Sequence, residues 1–412
     1  MTDTLRPPSE TPGDAPARRR LSRLDLVRLG VLAAGVACVA TGLLPRAEAE
    51  ANLARIGPLL VFLCSVIVLA ELTRRAGVFD VLARRLAILG RGRYPLLFVL
   101  CAGFAAVVTM TLNLDTTAVL LTPVLLALAE PTGIPPLPLA VTTLWLANTA
   151  SLLLPVSNLT NLLAADRTGL DAAGFAARMW APQLAALLVT LALLWVWYWR
   201  PAARETGTYR PPAPVRVTGT RQRFLLYGTG TAAAAFVVAI PFAGTHVDLA
   251  ALGAAAIALG AYLIADRRAL RWELVPWRLL VFVVGLFLVV PTVSRWGLTE
   301  VVHAMIGDDP GAAGAVRAAA TGAGLSNLVN NLPAYTAGET VIDPAHPDVL
   351  LALLIGTNTG PLVTPWASLA TLLCLEYCRD RGVRISLRRT AAHGLVLAVA
   401  ATGVAVAALL LV

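Results

Sequence analysis

The sequence predicts an all-α polytopic membrane protein of two inverted repeats, each with a re-entrant helical hairpin and a discontinuous transmembrane helix, giving about nine full spans plus two hairpins. Three observations predict this. The chain is 58% hydrophobic and 14% charged, with mean hydropathy +0.74, where a soluble domain is about a quarter charged. An apolar segment from Asp348 to Tyr377 is long enough to cross a bilayer, which takes about 20 residues, yet its middle reads Asn358-Thr359-Gly360-Pro361-Leu362-Val363-Thr364-Pro365-Trp366-Ala367-Ser368-Leu369. That stretch occurs twice: Asn148-Thr149-Ala150-Ser151-Leu152-Leu153-Leu154-Pro155-Val156-Ser157-Asn158-Leu159 aligns with it without a gap.

Proline removes a backbone donor and clashes with the preceding turn. Broken backbone at membrane depth is tolerated only inside protein or beside a water-filled cavity. Interrupted segments at corresponding positions of two halves therefore point to a solute site.

The elements follow in order. Residues 1–25 are polar, Pro-rich and basic, with no apolar core of a signal peptide, and read as a disordered tail. Leu26–Leu44 and Ile56–Leu72 are spans. Thr73–Arg93 places Val78, Phe79, Val81, Leu82, Leu86 and Leu89 on one apolar face among arginines, as in an interfacial helix. Pro95–Met110 and Ala118–Ala129 flank the polar run Thr111–Thr117; the second arm is about 18 Å long against a bilayer core of about 30 Å, so the pair reads as a re-entrant hairpin. Leu137–Ala165 is the first broken span and Trp180–Trp199 the next. Arg200–Arg223 is a loop, and Phe224–Ile240 a connecting helix. Asp248–Ile264 and Trp277–Val293 are spans, Arg295–Ile306 is interfacial, and Ala312–Thr340 is the second hairpin with tip Ser326–Pro333. The second broken span and Ala392–Leu411 complete the chain. Leu59-Leu60-Val61-Phe62 and Arg75-Ala76-Gly77-Val78 are echoed at equal spacing by Leu279-Leu280-Val281-Phe282 and Arg295-Trp296-Gly297-Leu298. The repeats are thus expected over 26–199 and 248–412, with 200–247 joining and inverting them.

All 33 basic residues are arginine, which excludes a P-loop lysine, a Schiff-base lysine and an SxxK pair. About 26 of them fall in the tail and in segments 73–94, 200–223, 266–278 and 379–389. These lie on one face if each hairpin returns to its own side, so the positive-inside rule puts the N-terminus in the cytoplasm and the C-terminus outside a cell membrane. The net charge of +9 then needs no nucleic-acid partner. Of five cysteines, Cys374 and Cys378 share a helix face, but no CxxC spacing suggests a zinc site or disulfide framework. The histidines His246, His303, His346 and His393 are isolated, so no metal or cofactor is expected. Asp308-Asp309 is a lone acidic doublet, too little for a diphosphate-handling membrane enzyme.

The interrupted stretches supply the candidate site: Asn113, Asp115, Thr116, Thr117, Asn148, Thr149, Ser157, Asn158, Asn327, Asn330, Asn331, Asn358, Thr359, Thr364 and Ser368, with Thr357 beside them. Some of these residues are needed as caps or helix cross-links. Asp115 is the sole carboxylate at a tip. An ionisable group at membrane depth is a functional candidate by default; its alternative role is to cap the arm starting at Thr116. The two tips are expected to meet near mid-membrane beside the broken helices.

At these stretches the chain resembles the arsenite/antimonite efflux permeases, the arsenical pump membrane proteins, of the superfamily that also holds citrate and dicarboxylate carriers. The resemblance runs from about Leu26 onward and is carried by Asn113-Leu114-Asp115-Thr116-Thr117, by Ala147-Asn148-Thr149-Ala150-Ser151 with Ser157-Asn158-Leu159-Thr160-Asn161, by Asn330-Asn331-Leu332-Pro333, and by Gly360-Pro361, Thr364-Pro365 and Ser368-Leu369-Ala370-Thr371-Leu372. Two departures stand out: Leu114 separates an asparagine and aspartate that are adjacent in familiar members, and Trp366-Ala367 replaces a family glycine. The resemblance implies a secondary transporter, not an enzyme, that exports arsenite or antimonite in exchange for protons. A soluble ATPase subunit and a homodimer are compatible with it. The alternative is a Na⁺- or H⁺-coupled carrier of organic or inorganic anions.

Overall fold

The computed structural model describes residues 23–214, 217–243 and 246–412; most of the expected tail, residues 1–22, lies outside them. The first spans are α1 (Arg23–Ala40) and α2 (Arg46–Arg75). α2 begins well before the expected Ile56, because Arg46-Ala47-Glu48-Ala49-Glu50 are strong helix formers that carry the helix beyond the apolar stretch. α3 (Val78–Leu89) is the interfacial helix; α4 (Tyr94–Leu112) and α5 (Leu114–Thr132) form the first hairpin. α6 (Pro136–Thr149) and α7 (Leu159–Thr168) are the first broken helix, followed by α8 (Ala172–Glu205) and the connector α9 (Thr220–Ala239). The second half holds α10 (Val247–Ala265), α11 (Trp277–Val293), α12 (Thr299–Ile306), the hairpin α13 (Ala312–Val329) and α14 (Asn331–Glu339), the broken pair α15 (Pro347–Thr359) and α16 (Leu369–Asp380), and α17 (Leu387–Leu409). Among the described residues seven helices are long and apolar enough to cross a membrane unaided.

The repeats pack reciprocally. α1 lies on α11, and their counterparts α10 and α2 lie on each other, while α8 packs against its own counterpart α17. The hairpins and broken helices form the other group, with α13 against α15 and α4 against α6.

The first hairpin differs from expectation in one respect. Its turn is a single residue, Asn113, and Leu114–Thr116 is already helical, so α5 has 19 residues rather than about a dozen. The Asn113 side chain accepts a hydrogen bond from Thr116 N at 2.9 Å and restarts the helix at once. The cap is therefore Asn113, not Asp115.

α3 shows a second difference. Phe79, Ala83 and Ala87 are buried, whereas Leu82 and Leu89 are exposed. The same inversion marks α4, where Cys101, Ala102 and Ala105 are buried and Val99 and Val107 exposed. Lipid solvates large apolar side chains, so close helix contacts select small ones.

Ion pairs between elements respect the two-face division of the arginines. Arg55 with Asp166 and Glu339, Arg178 with Asp348, and Arg295 with Glu48 lie on the arginine-poor side; Arg221 with Asp266 and Arg278 with Asp25 lie on the other.

α15 approaches α13 through glycine: a Cβ at Gly356 would stand 2.0 Å from the Ala319 carbonyl oxygen. Gly356→Val is expected to cost about 1–3 kcal/mol by overpacking, read as a lowered thermal midpoint of the solubilised protein. Gly253→Val, where a Cβ meets nothing within 4 Å, should leave that midpoint nearly unchanged.

Candidate functional site

The two hairpins turn by one device. Asn113 (φ 93°, ψ 164°) and Asn330 (φ 117°, ψ 154°) share a strained backbone conformation, and with Arg91 they are the non-glycine residues of positive φ among those described. Such a conformation costs of order 1–3 kcal/mol. Each asparagine offsets part of this by capping the next helix, Asn113 at Thr116 N and Asn330 at Leu332 N, 3.4 Å away.

Both tips line one small cavity of about 30 Å³, room for one or two waters. Asn113 and Asp115 reach it from the first tip, Asn330 and Asn331 from the second, and Asn158 from the first broken helix. Its apolar wall comes from α2 and α11, including Leu63 and Phe282. Leu114, Leu159 and Leu369, which begin α5, α7 and α16, also line it, with Leu332, the second residue of α14. The N-terminal ends of four half-helices thus converge on one space. Each presents unpaired N–H groups and a partial positive charge, so the cavity favours oxygen-rich or anionic groups. Among its lining residues Asp115 is the one ionisable side chain.

Beside the cavity the broken helices cross and bind each other. Asn358 Oδ1 accepts from Asn158 Nδ2 at 3.0 Å and Thr160 Oγ1 at 2.8 Å, and Asn358 Nδ2 donates to Asn161 Oδ1 at 2.7 Å. The symmetry-related contact is weaker: Asn148 Nδ2 donates to Thr371 Oγ1 at 3.2 Å. Asn148 Oδ1, Ser368 Oγ and Thr116 Oγ1 are buried and make no hydrogen bond among the described residues. These three keep unspent polar capacity, Thr116 and Ser368 beside the cavity-lining Asp115 and Leu369 in sequence.

The remaining candidates bond neighbouring helices, the breaks or their own turns. Thr149 and Thr359 bond Thr190 and Thr402 through their hydroxyls, at 2.9 and 2.7 Å. Thr117 Oγ1 accepts from Thr109 Oγ1, Ser157 Oγ donates to Leu154 O, and Thr357 Oγ1 to Leu354 O. Asn327 Nδ2 donates to Gly360 O, its Oδ1 accepts from Val363 N and Thr364 N, and Thr364 Oγ1 donates to Asn327 O. Sequence reasoning missed Gln183, buried in α8, which accepts from Leu152 N and donates to Thr149 O. Its signal was an amide inside an otherwise apolar span. Cys374 is buried against Thr122 Oγ1 at 3.5 Å, and neither it nor Cys378 lines the cavity.

Known proteins place this architecture. The family model described as a citrate transporter, CitMHS, matches residues 21–349. The chain belongs to this family of membrane transporters. It is 29% identical over 375 residues to an arsenical pump membrane protein of Escherichia coli, covering 84% of each chain, and 30% identical over 350 residues to that of Yersinia enterocolitica, covering 78% of this chain and 79% of the other. The fold is similar to the crystal structure of the Alcanivorax borkumensis YdaH transporter, which was described as revealing an unusual topology. The TM-score is 0.60 at 14% identity, covering 95% of this chain and 98% of that one. The chain is thus a multi-pass membrane transporter, and a transporter of this family binds a small solute from within a lipid bilayer.

Asn358 is the test of the crossing. Asn358→Ala removes three interhelical hydrogen bonds, each worth about 0.6 kcal/mol on average in membrane proteins. It should lower the thermal midpoint and abolish most transport. Thr402→Val removes one bond remote from the cavity and should leave transport close to that of the parent.

Proposed function

We propose that this protein exports arsenite or antimonite, as a neutral trihydroxy metalloid, in exchange for protons. One observation carries the reading: the cavity is lined by amides, helix N-terminal N–H groups and a single carboxylate, with no cationic side chain. Amides and N–H groups suit the oxygens of a small uncharged hydroxy solute, and a poorly fitting solute would leave them unpaired at a cost. The arsenical pump relatives, matched over most of the chain, support the same substrate. Asn113, Asn158, Asn330 and Asn331 would contact the solute, with Thr116, Asn148 and Ser368 available when the tips part. That parting is necessary, because a cavity of about 30 Å³ is too small for the solute. Asn358, Thr117, Thr149, Thr359, Ser157, Asn327 and Thr364 would shape the site from behind.

Asp115 would carry the coupling proton. Exporting a neutral solute uphill requires coupling to an energy source, and with Asn113 as the cap at Thr116 N the Asp115 carboxylate would be left to bind and release a proton. We place the repeats at residues 26–199 and 248–412, with the N-terminus and the arginine-rich face in the cytoplasm and the C-terminus outside. The proton gradient suffices for this exchange. A soluble ATPase subunit or a second copy of the chain would be an addition, detectable by co-purification.

A second reading has its own observation: four converging helix N-termini also suit a carboxylate or an inorganic anion with a cation, H⁺ or Na⁺. Expression in an arsenite-sensitive host lacking efflux separates the two. Arsenite export should lower cell arsenic and raise tolerance; unchanged arsenic with citrate or succinate uptake would select the anion reading.

Two variants test the mechanism. In inverted vesicles one pH unit drives about tenfold accumulation per proton exchanged; Asp115→Asn should abolish this accumulation and keep downhill exchange. Survival of gradient-driven accumulation would move the coupling group elsewhere. Replacing Cys374 and Cys378 together with Ser should leave transport largely intact, and its loss in a normally expressed variant would make the thiols arsenic ligands.

A further inference from the structure

Three helices lead from the cavity toward the arginine-poor face. Each carries a cavity-lining residue and a charged residue eight positions apart: Leu63 and Arg55 on α2, Asn158 and Asp166 at the cap and end of α7, Asn331 and Glu339 on α14. Eight residues are a little over two turns, so each pair shares a helix face, and the charges stand about 12 Å along the axis from the cavity. There they meet. Arg55 Nε donates to Asp166 Oδ2 at 2.9 Å, and Nη1 and Nη2 donate to Glu339 Oε1 and Oε2 at 3.1 and 3.5 Å. One guanidinium thus joins a first-repeat span, the first broken helix and the second hairpin, the bidentate use for which arginine is suited. The Glu339 side chain is 6% exposed, that of Arg55 32% and that of Asp166 54%, so the network is dry at Glu339 and wet at Asp166. One turn below Glu339 and one above Asn331 stands Tyr335, fully buried, whose hydroxyl has no hydrogen-bond partner among the described residues. That hydroxyl is carried by the turn of α14 between the cavity-lining Asn331 and the network's Glu339.

The inverted repeat supplies the comparison. On the arginine-rich side the counterparts of Arg55, Asp166 and Glu339 are Val275, Glu376 and Thr122. These include one charge, and no ion pair joins them among the described residues. The network therefore does not follow from the repeat; it belongs to one face.

We propose that Arg55, Asp166 and Glu339 form the gate through which the transported solute leaves on the arginine-poor face. The gate is shut in this conformation and must part before the cavity opens to that side. Arg55 and Glu339 are then positioning residues for transport, holding α2 to α14, while Tyr335 lines the route between them. The proposal rests on reading the cavity as the solute site and not on which solute it takes.

Thiol accessibility tests it without any substrate. Leu332→Cys lines the cavity on α14; Cys38→Ser and Cys64→Ser remove the two partly exposed native thiols. Full-length protein in vesicles of both orientations is labelled with a membrane-impermeant maleimide. From the arginine-poor face, labelling should rise at least about tenfold with Arg55→Gln, which corresponds to roughly 1.4 kcal/mol of lost closure. Glu339→Gln should act in the same direction, and Arg55→Lys should fall between parent and Arg55→Gln. From the arginine-rich face the rate should not change. An unchanged rate from the arginine-poor face, or an equal rise from both faces, would make the network a structural clamp and overturn the proposal. Arsenite export can fail its own test while this labelling pattern holds, and the pattern can fail while arsenite is exported.

Discussion

Two helices of this protein stop in the middle of the membrane, and the side-chain amides that complete them are the constraint on which the rest depends. In hydrocarbon an unsatisfied backbone N–H or C=O costs several kcal/mol, and no water is present to relieve it. The breaks after Thr149 and Thr359 are therefore affordable only because side chains stand in for missing turns. Asn161 donates to the carbonyls of Ser151 and Leu154, Gln183 binds Leu152 N and Thr149 O, and Asn327 accepts from Val363 and Thr364. Asn358 then ties the two breaks to each other. A cavity with converging helix ends follows directly, since each completed break leaves a half-helix N-terminus pointing inward.

The two halves are equivalent in architecture but not in chemistry. The Thr149–Thr190 and Thr359–Thr402 pairs are related by the repeat and nearly equal in length, because they only hold helices together. Asn158 and Ser368 are also related, yet Asn158 is bonded to Asn358 and Ser368 Oγ is not bonded among the described residues. The ion network of Arg55 likewise has no counterpart among the described residues. A symmetric scaffold lets the central elements take two related arrangements of similar energy, whereas unequal chemistry is what can give transport a direction.

Lipid as solvent explains the remaining packing. Since hydrocarbon accepts leucine and valine as readily as a protein interior does, apolar area does not decide which face of a helix turns inward. Steric fit decides it: Ala319 and Ala323 of α13 receive Gly356 of α15 and Gly360 just after it, while Val316 and Leu328 of α13 face outward.

Much of the fold was legible in the sequence, because the bilayer imposes rules on composition. Length and hydropathy located the spans, paired proline-broken stretches located the discontinuous helices, and arginine asymmetry sorted the loops into two faces. The tips could be named because asparagine within an apolar run is costly unless used. What the sequence could not assign was the use of each polar residue. Asn327 and Asn330 stand three apart in the same motif and both bond the second break, Asn330 through Trp366 O at 2.9 Å, yet only Asn330 also lines the cavity. Asn113 rather than Asp115 proved to be the cap, because helix direction after a one-residue turn is set by a backbone conformation that composition does not encode. The Arg55 network joins residues up to 284 positions apart. In sequence Arg55 and Asp166 fall just outside the expected spans and Glu339 at the end of the second hairpin, and only the tertiary structure brings them together.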